Sequence, residues 1–524
     1  MLAARRFLPR RPLLVITLVA LAAAGSLVAL AFSARADLTV SGLSDGAVVA
    51  PAALREVAVT TGGDLDRVEV LLDDSAVPVR QEGDRLLLDV GEPAEGEHTL
   101  AVRLPAGVAP LPGSETVLDF TVDATPPALE IEPVEPVEPG EPGAVRGSAR
   151  GADSVRAGSE PVAVADDGTF TVPVPPGTGR VTVEARDAAG NTAAEDVVLP
   201  VRHPGMRAVH MTAMAWASPA LREPVLRLAR ENRIDTVQLD IKDESGEIGY
   251  ASQVPLAQEI GAARGHYDAR AALGQLHEAG LRVVGRVVAF RDPILAEASW
   301  HGGHRERVIQ QADGTAWTGG YGEYAFTNFA DPAVRGYNVA LAAEAAELGF
   351  DEILYDYIRR PEGLLSQMRV PGLGTSPEEA IAGFLEQTRP ALREHGALLG
   401  ASVFGIAADR PELVAQDIPS MAEHADYIAP MVYPSHWGPG EYGVEDPERQ
   451  PYQITARSLA AFARKVQGSP HTEVIPWLQA FSMQVRYGPR EIQAQIKAAE
   501  DNGMDSFILW DPRCRYDPQA LRPR

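Results

Sequence analysis

The sequence predicts a multidomain chain in which two β-sandwich modules precede an α/β (β/α)8 TIM barrel. Three observations predict it. Residues 37 to about 201 run in short stretches of period-two alternation, with turn residues every eight to twelve positions. From Pro204 onward strand-like and amphipathic helical segments alternate, with eight strand candidates before the chain ends. The chain has 524 residues, 45% of them hydrophobic, which at roughly 100–200 residues per domain leaves room for three or four cored domains.

Charge narrows the partners. Asp and Glu number 72 against 47 Lys and Arg, a formal net charge of −25. Nucleic acid is excluded as a partner, because phosphate binding needs a basic footprint that this chain lacks. Neutral or cationic partners suit an acidic surface better. The single cysteine, Cys514, rules out an intrachain disulfide and a multi-cysteine zinc site.

The first element, 1–36, reads as a signal peptide or an N-terminal membrane anchor. Arg5, Arg6, Arg10 and Arg11 precede an uncharged run from Leu13 to Phe32, and Ala34-Arg35-Ala36 has the small-x-small form of a cleavage site. The run is long for a cleaved segment and long enough to span a bilayer, with the arginines left on the cytoplasmic side. Either outcome exports the remainder, to the extracellular space or to the outer face of the cytoplasmic membrane.

The second element, 37–123, is a β-sandwich, read from stretches such as Arg67-Val-Glu-Val-Leu-Leu72 and Arg85-Leu-Leu-Leu-Asp-Val90. The third, 124–203, opens with the Pro/Glu-rich run 130–143. Its prolines favour polyproline II and its carboxylates repel, so a stiff solvated spacer or exposed loop is expected. A second β module follows, with Gly168-Thr-Phe-Thr-Val-Pro-Val174, Arg180-Val-Thr-Val-Glu-Ala-Arg186 and the turn Asp187-Ala-Ala-Gly-Asn-Thr192. That ending resembles bacterial immunoglobulin-like modules of secreted proteins.

The barrel occupies 204–524. Strands are expected near 207–215, 236–243, 281–290, 350–358, 398–405, 426–434, 472–481 and 504–511, with the clearest helices at 269–279, 333–348, 377–394, 452–466 and 489–502. Gly280, Gly349, Gly396 and Gly503 follow helices, as left-handed C-terminal caps require. A doubly wound sheet fits less well, since no glycine-rich phosphate loop follows the first strand.

Barrel chemistry sits at the C-terminal ends of the strands. The second strand ends Gln238-Leu-Asp-Ile-Lys-Asp243, and strict alternation puts Gln238, Asp240 and Lys242 on one face. Arg286, inside the apolar third strand, needs a partner that Asp240 or Asp356 can supply. In Phe350-Asp-Glu-Ile-Leu-Tyr-Asp-Tyr-Ile-Arg-Arg-Pro361, Asp356 lies nearest the mouth, flanked by Tyr355 and Tyr357. A carboxylate there suits attack on an anomeric carbon or stabilisation of an oxocarbenium-like transition state.

Aromatic residues cluster where strands six to eight end. Tyr433, Trp437, Trp477 and Trp510 offer ring faces for the apolar patches of a pyranose, with His436 and Gln479 as polar partners. His301 and His304 lack a third nearby ligand, so neither metal nor cofactor is expected. No Gly-x-Ser-x-Gly elbow in the barrel region, 204–524, supports an esterase or peptidase.

Six segments in order carry a resemblance: Asp240 to Gly246, Arg286 to Pro293, Phe350 to Pro361, Pro430 to His436, Pro476 to Gln479 and Leu509-Trp510. Together they resemble the bacterial putative glycosyl hydrolase domain family, barrels distantly similar to the alpha-amylase and chitinase-like clans, over about residues 206–520. The resemblance implies a glycosidase-type barrel with Asp356 at the fourth-strand carboxylate position. Relatives often carry aspartate where this chain has Ser402 and Ala480, which removes two candidate acids.

The expected function is hydrolysis of an extracellular or cell-envelope polysaccharide or oligosaccharide. Asp356 is the expected nucleophile or electrostatic base, and Asp240, Asp243 or Asp511 the proton donor. Arg286 and Lys242 keep the ionisation states apart. The alternative is a catalytically inactive glycan-binding or envelope-scaffold protein using the same cleft, which the loss of carboxylates at Ser402 and Ala480 favours.

Overall fold

The computed structural model describes residues 38–91, 93–106, 113–469 and 471–523. Residues 1–36, expected to be a signal peptide or membrane anchor, lie outside the described residues. Among the described residues no helix is long and apolar enough to cross a membrane.

The described chain separates into two compact units. The first takes in the chain up to Glu132 together with Val145–Val172 and Thr182–Val197; the second holds Pro133–Ala144, Pro173–Val181 and everything from Val198 onward.

The N-terminal region is β-rich. Strands Leu38–Ser41, Ala58–Thr61, Arg85–Leu88 and Val79–Glu82 form one sheet, and Ala47–Val49, Ser114–Val122, Gly96–Leu104, Glu69–Leu72 and Ser75–Ala76 another. Inward residues of both, including Val59, Leu86, Leu100, Val102, Phe120 and Val122, make one core. Downstream, Thr169–Val174 alternates exposed and buried residues along its whole length, as a half-buried strand must. In the Pro/Glu-rich run, Val137 is tied by backbone hydrogen bonds to Pro200 and Arg202. It is therefore anchored at its middle rather than solvated throughout.

The second unit contains a closed barrel of eight parallel strands: β1 Arg207–Met211, β2 Thr236–Lys242, β3 Arg282–Val288, β4 Glu352–Asp356, β5 Leu398–Phe404, β6 Tyr427–Met431, β7 Trp477–Gln479 and β8 Phe507–Trp510. Each pairs in parallel with its sequence neighbour; β5–β6 and β8–β1 pairings complete the ring. Strands and flanking helices bury nearly continuous apolar runs, the pattern of a parallel sheet covered on both faces. Helix Pro377–Arg393 starts on a capping box in which Ser376 and Glu379 satisfy each other's backbone N–H groups. Gly349 ends helix Pro332–Leu348 with φ at 112°, a left-handed cap that a side chain would strain.

Inside the ring, Ala208, Val284, Leu354, Tyr427, Ala429, Trp477 and Ile508 pack as a filled core. Gly400 of β5 gives the Tyr427 ring its space, since a Cβ there would collide with it. Below them His203 and Glu352 meet at 3.2 Å with both side chains fully buried, and Arg282 reaches Glu352 at 2.7 Å.

The expected alternation on β2 fails at its end. Asp240 pairs with Arg286, but Lys242 pairs with Val287, so Ile241 is an extra residue in a bulge. The bulge reverses the parity, and Lys242 leaves the barrel interior for the helical layer.

Candidate active site

The site is built on Arg286. Its position in mid-β3 among buried valines puts a guanidinium under the barrel mouth, where it is only 4% exposed and needs compensating charge. Asp356, at the end of the neighbouring β4, supplies it: Arg286 donates from Nε (2.9 Å) and Nη2 (2.6 Å) to Asp356 Oδ2. Asp240 on the other side accepts from Nη1 at 3.1 Å. Glu244, in the turn after β2, accepts from Nη2.

A second cation lies behind Asp240. His210 of β1 places Nε2 2.9 Å from Asp240 Oδ1. Burial disfavours its protonated form, but the Asp240 carboxylate outweighs burial and pushes the pKa up to about 9. Burial likewise works against the Asp240 anion, yet His210 and Arg286 together hold its carboxyl below the usual range. For Glu244, burial is again overcome by Arg286, and its carboxyl is lowered. The three carboxylates and two cations leave the cluster with one surplus negative charge.

Asp356 is held by its own backbone as well. The Tyr357 N–H donates to Asp356 Oδ1 at 2.7 Å, with Tyr357 at φ 50°. A left-handed aromatic residue is strained backbone, the kind found at functional sites. Arg291, in the loop after β3, braces it by donating to the Tyr357 hydroxyl at 2.9 Å.

Above the cluster opens a cleft of about 690 Å³ whose lining includes Glu244, Arg286, Arg291, Asp356, Tyr357, Tyr433, His436, Trp437, Trp477 and Trp510. Tyr433 and Trp510 stack, with ring centroids 5.3 Å apart and planes 22° from parallel, and Phe481 packs edge-on against both. Trp477 donates its indole N–H to the buried Ser402 hydroxyl at 3.0 Å, so the serine fixes that ring. His436, also in the cleft wall, is kept toward its neutral form by burial. Among the described residues, no group of three or more His, Cys, Asp or Glu is arranged to hold a metal ion.

The structure thus gathers Asp240, Arg286 and Asp356 in one network and lines one cleft with Tyr433, His436, Trp437, Trp477 and Trp510. Five expected residues stand elsewhere. Lys242 is fully buried in the helical layer, 2.7 Å from Asp292 and 2.9 Å from Asn338. Tyr355, odd where Asp356 is even, faces the same layer and donates to the Asn338 carbonyl at 3.1 Å. Gln479 is buried, accepting from the Ser435 N–H at 3.0 Å and donating to the Phe481 carbonyl at 3.0 Å. It props the aromatic loops and does not line the cleft. Asp243 closes a tight turn, accepting from Ser245 N at 2.9 Å, and burial raises its carboxyl. Asp511, buried beyond β8, accepts from the backbone N–H of Arg513 at 2.7 Å.

Glu244, His210, Arg291 and Tyr321, which lines the cleft from the turn between Gly319 and Gly322, were not expected at the site. Alternation from Ala208 along β1 points to His210. The other three are loop residues, for which no periodicity exists.

The family described as "Putative glycosyl hydrolase domain" matches residues 208–516. Among solved structures, the chain is similar to a hypothetical protein from Ruminiclostridium thermocellum ATCC 27405, at 30% identity over 37% of this chain and 96% of that one, with a TM-score of 0.34. The PgaB (BpsB) glycoside hydrolase domain from Bordetella bronchiseptica is 15% identical over 59% of this chain and 95% of that one, TM-score 0.45. The endo-1,4-beta-D-mannanase from Thermotoga petrophila RKU-1 is 13% identical over 60% and 97%, TM-score 0.39. No curated protein matches the chain. The family match spans more than half of the chain and every strand that carries the site from Asp240 to Trp510, and the chain belongs to that glycosyl hydrolase domain family.

Proposed function

We propose that the barrel is a glycosidase that cleaves an extracellular or cell-envelope polysaccharide, with Asp356 as nucleophile and Glu244 as proton donor. One observation carries this reading: Asp356 and Glu244 both accept from the same nitrogen, Arg286 Nη2, at the floor of an aromatic cleft. Two acceptors on one nitrogen stand within roughly 6 Å of each other. That is short of the roughly 6.5–9.5 Å an inverting pair needs to admit water and suits a retaining pair at roughly 5–5.5 Å.

Asp240 is better placed as a positioning residue, since it is buried beneath Arg286 and shared with His210. Glu244 has a side chain 35% exposed and meets solvent and substrate first. A sugar seated over it excludes water, and desolvation raises a carboxyl toward the protonated form an acid needs.

Upstream, the β-rich region is proposed to consist of immunoglobulin-like modules that hold the barrel away from the cell surface, with 1–36 as the export signal or anchor. The test is release of reducing ends from a panel of envelope and extracellular polysaccharides by the full chain and by Asp356→Asn. Release by the wild type and not by the variant supports the reading; equal release by both removes Asp356 from the chemistry.

A non-catalytic glycan-binding protein is the second reading. It is favoured by one feature: Arg286 holds the Glu244 carboxyl low, so the resting cleft holds no protonated carboxyl there. Glycan binding that survives Asp356→Ala, with no reducing ends released from any bound polymer, decides for it.

A further inference from the structure

The inference rests on the glycosidase reading and concerns what the substrate carries. Arg286 is saturated by Asp240, Glu244 and Asp356. Arg291, the other guanidinium lining the cleft, has no carboxylate within ion-pair distance among the described residues. Its neighbour Asp292 is turned away, bonded to Lys242 and to the Leu295 N–H.

Ring faces hold Arg291 instead. Its guanidinium carbon lies 4.3 Å from the Tyr321 centroid and 5.1 Å from that of Tyr357. Among the described residues only Nη1 is engaged, by the Tyr357 hydroxyl, and Nε and Nη2 make no hydrogen bond. A half-buried cation clamped by two rings, with donors to spare, is a preformed fork for a planar or tetrahedral oxyanion. On a chain of net charge −25, an unpaired cation inside the sugar cleft also runs against the surrounding field. Arg286 and His210 offset two of the three mouth carboxylates, so only one surplus negative charge opposes an anion here.

We propose that Arg291 is the subsite for an anionic substituent of the glycan, the carboxylate of a uronic acid or an ester sulfate, bound beside the Asp356 centre. The test is a printed array of uronate-bearing, ester-sulfated and matched neutral oligosaccharides, probed with the full chain, Arg291→Gln and Arg291→Lys at two salt concentrations. One charge-assisted bidentate pair predicts that the wild type binds one anionic class at least about tenfold more tightly than its neutral counterpart. The two anionic arms separate carboxylate from sulfate. Arg291→Gln should abolish the preference, Arg291→Lys should keep part of it, and added salt should shrink it. Arg291 as a mere brace for Tyr357 would move overall affinity without moving that ratio. Neutral glycans bound as tightly as charged ones, or a preference that persists in Arg291→Gln, overturns the anionic subsite and leaves the glycosidase reading standing. Binding to no glycan in any arm overturns both.

Discussion

Arg286 Nε and Nη2 converge on a single oxygen, Oδ2 of Asp356, at 2.9 and 2.6 Å. In the β3–β4 ladder Arg286 lies opposite Leu354, not Asp356. The arginine therefore reaches one inward position up the barrel to a carboxylate nearer the mouth. Its reach leaves Asp356 Oδ1, among the described residues, with only the Tyr357 N–H and sets the carboxylate plane.

Asp356→Asn should lower kcat by at least about 10³-fold, the scale of losing a group that bonds the reacting carbon. Folding should persist, because Arg286 keeps Asp240 and Glu244, and a lost charged hydrogen bond costs about 1.5–3 kcal/mol. Initial rates on a cleaved polysaccharide, paired with a thermal melt, check both halves.

Glu244→Gln should lower kcat by about 10²–10⁴ on substrates with poor leaving groups. The loss should shrink on aryl glycosides whose phenolate departs without a proton. The high-pH limb of the kcat profile, which reports the acid in the substrate complex, should also vanish. An unchanged profile would assign the proton to another group.

How much of this was legible in the chain follows from periodicity. Asp240, Arg286 and Asp356 lie on regular strands, where alternation assigns a face, and all three meet. Lys242 lies two residues beyond Asp240 on the same strand, yet the extra residue Ile241 turns it outward; the bulge leaves no mark in the alternation of Gln238-Leu-Asp-Ile-Lys242. Parity alone places Tyr355 on the side opposite Asp356. Gln479 is inward, but the Ser435 N–H claims its oxygen, a contact 44 positions away that no local pattern encodes. Glu244 and Arg291 sit in loops whose courses are fixed by tertiary contacts. The aromatic wall was visible because its residues end strands whose order in the ring is fixed.

Lys242→Met should be a stability mutation. Burial presses the Lys242 ammonium toward its neutral form, and Asp292 opposes this at 2.7 Å. Removing the cation strands the Asp292 carboxylate in the helical layer at a cost of about 3–5 kcal/mol. Lys242→Met with Asp292→Asn should recover most of it. The amide keeps an acceptor for the Leu295 N–H, which Asp292 caps at 2.9 Å, and no buried charge remains. Urea unfolding of the single and double variants measures the recovery; a double variant no better than the single would show that the charge is not the cause.

His210 makes stability fall as pH rises. Burial alone would depress its pKa, but Asp240 raises the folded value to about 9, against roughly 6.5 in an unfolded chain. The folded state therefore binds the extra proton. Its contribution is fully present below about pH 6.5 and disappears as pH climbs through about 9. His203 is also raised, with burial opposing and Glu352 prevailing, so the wild-type slope has two sources. The quantity to measure is the difference in unfolding free energy between wild type and His210→Gln. It should be about 1–3 kcal/mol at pH 6 and shrink steadily to near zero above pH 9. In the acid range the opposite sign applies to Asp240. Its folded carboxyl is held low, so its contribution exists above the unfolded value of about 3.9 and is lost as pH drops through the folded one. A difference that stays flat from pH 6 to 10 would mean that His210 is neutral in the folded protein and that Asp240 leans on Arg286 alone.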